Sequence, residues 1–129
     1  MAKIAVFTLL LVCFCSTLGW AQYRNNGTHN LIVGRRGYND LILYERTVAK
    51  GKTWNPFGKV SEDVTYPVTY VPPSMRRRIT EIDAIDLIGN GKGGYAYITK
   101  GGINMSNVTI HFKSQSGKGY SFHLVIYGR

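Results

Sequence analysis

The sequence predicts an all-β fold: an antiparallel β-sandwich or small barrel of about seven short strands. Three observations carry this. Val108, Ile110 and Phe112 alternate with Asn107, Thr109, His111 and Lys113, and Tyr120, Phe122, Leu124 and Ile126 alternate with Ser121, His123 and Val125. An apolar period of two marks strands with one buried face. Glycine-rich turns separate the candidate strands, at Gly89–Gly94, Gly101-Gly102 and Gly117-Lys118-Gly119.

The N-terminus sets the boundaries of the domain. Lys3 supplies a positive end, Ile4 to Leu18 is almost wholly apolar, and Gly19-Trp20-Ala21 places small residues where a signal peptidase needs them. Residues 1–21 therefore read as a secretory signal peptide cleaved between Ala21 and Gln22. The apolar run is too short for a transmembrane anchor, which needs roughly 20 residues. Residues 22–129 remain as a single domain, beginning with a polar arm, 22–30, expected to be mobile. Cys13 and Cys15, the only cysteines, leave with the signal, so the mature domain is expected to be held by packing and strand pairing.

Strand candidates follow in order. Leu31 to Gly34 is short and apolar, and Asp40 to Val48 is apolar on both faces as far as Tyr44. Lys50 to Asp63 reads as a long loop, in which Trp54 and Phe57 are expected to fold back over the core. Val64, Tyr66, Val68 and Tyr70 alternate around Pro67, and a proline cannot donate to a central ladder, so this is an edge strand. Ile79 to Ile88 has isoleucines spaced by three but is short and ends in glycine, which suggests a strand with a bulge. Gly93 to Thr99 is Tyr-rich and β-branched.

Ser114 to Lys118 is short and polar and leads through Gly-Lys-Gly, which signals a hairpin between the last two strands, 107–113 and 120–126. The shared parity of their apolar residues then places His111 opposite His123, with Cβ atoms about 5 Å apart. Two protonated imidazoles at that range would repel, so this hairpin would loosen below roughly pH 6.5.

The whole chain carries a net charge of +9, from 16 basic and 7 acidic residues. Removal of Lys3 with the signal leaves 15 against 7, or +8. Such a charge favours acidic partners. Arg76-Arg77-Arg78 is its densest cluster and the candidate anion site, although charge runs commonly face water. No acidic residue follows Asp86. Neither an RNA-binding aromatic pattern nor a recognition helix accompanies the arginines, so nucleic acid is disfavoured as a partner.

Other motifs fail for lack of context. Gly89-Asn90-Gly91-Lys92-Gly93-Gly94 satisfies G-x-G-x-x-G, but a strand follows it rather than the helix that would hold a pyrophosphate. It reads as a glycine hairpin. Gly51-Lys52-Thr53 ends like a P-loop, but Arg46 stands where that motif needs glycine. No spacing assembles a nucleophile with its base, and zinc needs more protein ligands than His111 and His123 supply. No cofactor is expected, and no catalytic residue is assigned. Asn26, Asn104 and Asn107 begin N-x-S/T sequons, so each is a candidate glycan site.

Several segments together resemble a known family: Ile79-Thr80-x-Ile82, Gly93-Gly94-Tyr95-Ala96, Ile98-Thr99-x-Gly101-Gly102, Val108–Ser114, and Ile126-Tyr127-Gly128-Arg129. In that order they look like the insect multiprotein bridging factor two family, whose members are also called probable salivary secreted peptides. The resemblance covers the C-terminal half and extends to Asn30–Glu45, where Gly34-Arg35 and Asp40 fit the pattern. It implies no enzymatic activity and suggests presence in saliva or haemolymph. The sequence reading is thus a secreted, non-enzymatic basic domain binding an extracellular protein, glycan or other anionic ligand. The family's name implies the alternative, a transcriptional co-activator bridging a DNA-binding factor and the basal machinery.

Overall fold

The computed structural model describes residues 27–129. The expected signal peptide, its cleavage site at Ala21 and Gln22, and the sequon at Asn26 lie outside the described residues. Seven strands form two antiparallel sheets: β1 (Leu31–Gly34), β2 (Leu41–Lys50), β3 (Ser61–Tyr66), β4 (Ile79–Asp86), β5 (Tyr95–Gly101), β6 (Val108–Lys113) and β7 (Tyr120–Gly128). One sheet has the order β1-β4-β7-β2 and the other β3-β6-β5.

The alternation read from the sequence decides which side chains face inward. Val108, Ile110 and Phe112 from β6 meet Tyr120, Phe122, Leu124 and Ile126 from β7, all buried. Ile79, Ile82 and Ala84 of β4 complete the centre, with Val48 of β2 and Val64 of β3. The bulge expected in β4 lies at Thr80, between the pairs Ile79–Gly128 and Glu81–Tyr127. β3 is an edge strand, as expected, but Pro67 lies outside its ladder: the strand ends at Tyr66 immediately before it. Val68 and Tyr70, expected to continue the strand, stand exposed beyond it because the chain leaves the sheet at Pro67.

The expected Lys50–Asp63 loop is shorter, because Ser61–Asp63 already pair with β6 as the start of β3. Three further expectations are corrected. First, β6 and β7 are not a hairpin. Residues 114–119 carry the chain from one sheet to the other, and the two strands face each other across the core. His111 lies opposite Asp63 and Tyr97 in the three-stranded sheet, whereas His123 lies opposite Thr47 and Ile85 in the four-stranded sheet. Each has a carboxylate partner: His111 Nδ1 is 2.7 Å from Asp63 Oδ1, and His123 Nε2 is 2.9 Å from Glu45 Oε1. The postulated imidazole repulsion therefore has no basis.

Second, Gly89–Gly94 is also an intersheet crossing rather than a hairpin, joining β4 to β5. Its backbone is already occupied: Gln115 Nε2 donates to the carbonyls of Gly91 and Gly93 at 2.6 and 2.9 Å, and Gly91 N–H donates to Gly27 O at 2.8 Å. Third, Trp54 and Phe57 do not cover the core; they are 96% and 84% exposed.

Of the expected arm, residues 27–30 are tied to the β4–β5 region. His29 N–H donates to Asp86 Oδ2 at 2.9 Å, Asp86 N–H donates to Asn30 Oδ1 at 2.8 Å, and the His29 ring stacks on Tyr95 at 4.6 Å. The β5–β6 connection is a true hairpin, with Gly101 and Gly102 at φ of +65° and +128°, which favour glycine.

Candidate anion-binding groove

Because the strands alternate in direction, β4 begins at the same end of the sandwich where β7 ends and β2 begins. Basic residues in the segments flanking those termini are thereby gathered from distant parts of the chain. Arg78 and Arg129 exchange both backbone hydrogen bonds, at 2.8 and 3.0 Å, which fixes the C-terminal residue beside the arginine run. Arg76, Arg77 and Arg129 line one open depression with Ser74 and Met75.

A second depression, of about 260 Å³, adjoins it. Its apolar wall comes from Leu41, Ile42 and Leu43 at the start of β2, with Tyr66 at the end of β3 and Val71 and Met75 from the β3–β4 connection, and Arg76 and Arg77 stand at its rim. Pro72 opens a single 3-10 turn, Pro73–Met75, that folds this connection back. Arg76 holds the fold-back in place: its Nε donates to Val71 O at 3.0 Å and its guanidinium lies 5.9 Å from the centre of the Tyr70 ring. Arg77 makes no such tie among the described residues.

Asp40 is a buried acidic residue of this end, and its side chain is 1% exposed. The Thr80 hydroxyl donates to its Oδ2 at 2.6 Å, as does the Gly37 N–H. These bonds, the Thr80 one foremost, hold its carboxyl below the usual carboxylate range. Its other oxygen lies 3.9 Å from Arg129 Nε. Asp40 thus offsets part of the charge of Arg129 from inside, while Arg76, Arg77 and Arg78 are exposed and form no ion pair among the described residues.

The structure therefore unites the three expected arginines in one region but gives them different roles. Arg76 clamps the loop, Arg77 faces the groove, and Arg78 sits against the C-terminus. The sequence reading missed Arg129 and the apolar wall. Their signal is weak, because Leu41, Tyr66 and Arg129 are distant in sequence and converge only through the sheet order. Asn104 and Asn107 are both exposed beside this end, and Asn107 borders the depression around Tyr66 and Arg76.

Comparison with known proteins agrees with the sequence resemblance. A protein of Bombus ignitus named "Probable salivary secreted peptide" is 41% identical over 110 residues, which cover 85% of this chain and 77% of that protein. No solved structure gives a significant match. The family model described as "Transcription activator MBF2" matches residues 33–128, from within β1 to the last residue of β7, and the chain belongs to that family.

Proposed function

We propose that this is a secreted, non-enzymatic domain that binds an anionic extracellular partner through the groove rimmed by Arg76 and Arg77. The single observation carrying this is the meeting of an apolar wall in one depression with two guanidinium groups that form no ion pair among the described residues. Such a surface complements an anion with an apolar face, such as an acidic peptide segment or a sulfated ligand. The name of the bumblebee relative supports secretion and a non-enzymatic role. The apolar run Ile4 to Leu18, followed by the small residues Gly19 and Ala21, supports secretion as well.

Heparin is a suitable probe. Its affinity should fall steeply with salt through counterion release. Replacing Arg76, Arg77 and Arg78 with serine should reduce the magnitude of the log–log slope by about one for each arginine in contact. A slope unchanged by the triple substitution, with the fold intact, refutes the groove.

The family description favours a second reading, a transcriptional co-activator with a specific protein partner. Mass spectrometry separates the two. A chain beginning at Gln22 in the medium supports secretion, and an intact Met1 form confined to cells supports the co-activator.

A further inference from the structure

The opposite end of the sandwich has its own chemistry. The β2–β3 connection, residues 51–60, is a built turn. Thr53 Oγ1 donates to Asn55 O at 2.9 Å, Gly58 N–H donates to the same carbonyl at 2.9 Å, and Phe57 N–H donates to Asn55 Oδ1 at 3.0 Å. The turn is anchored to the β6–β7 crossing, where Gly117 N–H donates to Gly58 O at 2.7 Å. A Cβ at Gly117 would lie 2.4 Å from Pro56 O, so the two segments are in close contact.

This turn holds Trp54 and Phe57 out in water, at 96% and 84% exposure. Large aromatics are seldom left fully in water, and the bonds of this turn hold these two outward. Around it stand lysines. Lys50, Lys52, Lys92 and Lys118 line one open depression, and Lys59 follows in the same loop. None of the five forms an ion pair with a carboxylate among the described residues. The arginine groove lies at the far end of β7, whose nine residues span about 30 Å, so the two regions are separate.

We infer that the Trp54–Phe57 turn and its lysines form a docking surface for an anionic lipid bilayer. Tryptophan and phenylalanine on a rigid tip suit the boundary between headgroups and acyl chains, where one part of an indole is apolar and its N–H is hydrated. The lysines supply attraction to the negative headgroups. A soluble polyanion would use the lysines but would leave the two aromatics with nothing to enter. Charge and apolar exposure together therefore select a bilayer over a free polyanion. The surface is independent of the arginine groove, which would then point away from the membrane.

The test uses the chain beginning at Gln22, which contains all seven strands and the whole core. Trp54 is its sole tryptophan, since the only other one is Trp20. Phosphatidylcholine vesicles with and without phosphatidylserine serve as probes. The expected result is co-sedimentation with the phosphatidylserine vesicles and a blue shift of Trp54 emission on binding. W54A/F57A should weaken this binding at least about ten-fold, the order expected for withdrawing buried aromatic surface. Each lysine replaced by serine should weaken it about five-fold. Both aromatics are exposed, so these variants should keep the wild-type melting temperature, and heparin binding at the arginine groove should survive. Absence of binding to either vesicle overturns the inference. So does equal binding to both vesicles, or binding that W54A/F57A leaves unchanged. Loss on replacing Arg76, Arg77 and Arg78 alone would assign the lipid to the other end and equally overturn it.

Discussion

Phe112 of β6 and Phe122 of β7 meet across the core with ring centroids 5.2 Å apart, although their strands belong to different sheets. This contact joins the two layers at their centre, together with Tyr120, whose ring lies 6.2 Å from Phe112. Truncating Phe122 to alanine should remove packing from both sheets at once. The expected loss is about 3–5 kcal/mol, measured by urea denaturation. A loss below about 1 kcal/mol would show that the layers do not depend on this contact.

Tyr120 should matter through its hydroxyl as well as its ring. Its Oη donates to Glu62 Oε1 at 2.8 Å, and Glu62 Oε2 lies 3.7 Å from Arg46 of β2. Burial, and then the bond to Glu62, push the Tyr120 phenol far above its ordinary value, so it remains a donor throughout the physiological range. Y120F should cost about 1.5–3 kcal/mol, the range for a hydrogen bond to a charged group. If R46A is as costly as Y120F, the charge pair rather than the phenol is the stabilising element.

Asp83 should make stability decline with rising pH. Its carboxyl is pushed up to about 6, first by desolvation and then by the neighbouring Glu81. One of its oxygens is shielded and has no hydrogen-bond partner. Between 3.8, the ordinary value, and about 6, the folded chain retains a proton that the unfolded chain has lost. Stability therefore falls as pH rises through that window. D83N should raise the denaturation midpoint at pH 7.5 and have little effect below pH 4, a pattern measurable by urea melts at the two pH values. A larger benefit at low pH would contradict the assigned cause.

The glycines of the Gly89–Gly94 crossing should respond as packing elements rather than as a phosphate loop. A Cβ on Gly94 would lie 2.4 Å from Lys113 O and 2.7 Å from Tyr120 Cβ. G94A should destabilise by about 1–3 kcal/mol or more, as over-packing does. Gly51 has open space around it, and G51A should be tolerated. Thermal melts of the two variants provide the comparison, and a neutral G94A would refute the close approach.

The sequence by itself determined that there are about seven strands, the buried faces of β6 and β7, and the bulge in β4. It did not determine the bounds of β3, which begins at Ser61 inside the expected loop and stops at Tyr66. Side chains alternate across a strand, so Ile110, Phe112, Phe122 and Leu124 declare their face locally. Pro67 marked where pairing had to stop, and β3 ends at Tyr66 immediately before it; that β3 is an edge agrees with the expectation but is decided by the sheet order. Which strands are neighbours is not a local property. A period of two states which side of a strand is buried but is equally satisfied by a partner beside it or a layer opposite it. Parity therefore placed Phe112 and Phe122 on buried faces while mispairing His111 with His123. The cationic ends follow the same division. Arg76, Arg77 and Arg78 are adjacent in sequence and legible there, but Arg129 joins them only because β7 runs antiparallel to β4. The exposure of Trp54 was likewise decided by tertiary structure: the backbone bonds of Asn55 and the anchoring of Gly58 to Gly117 turn the loop outward, against the tendency of large aromatics to be buried.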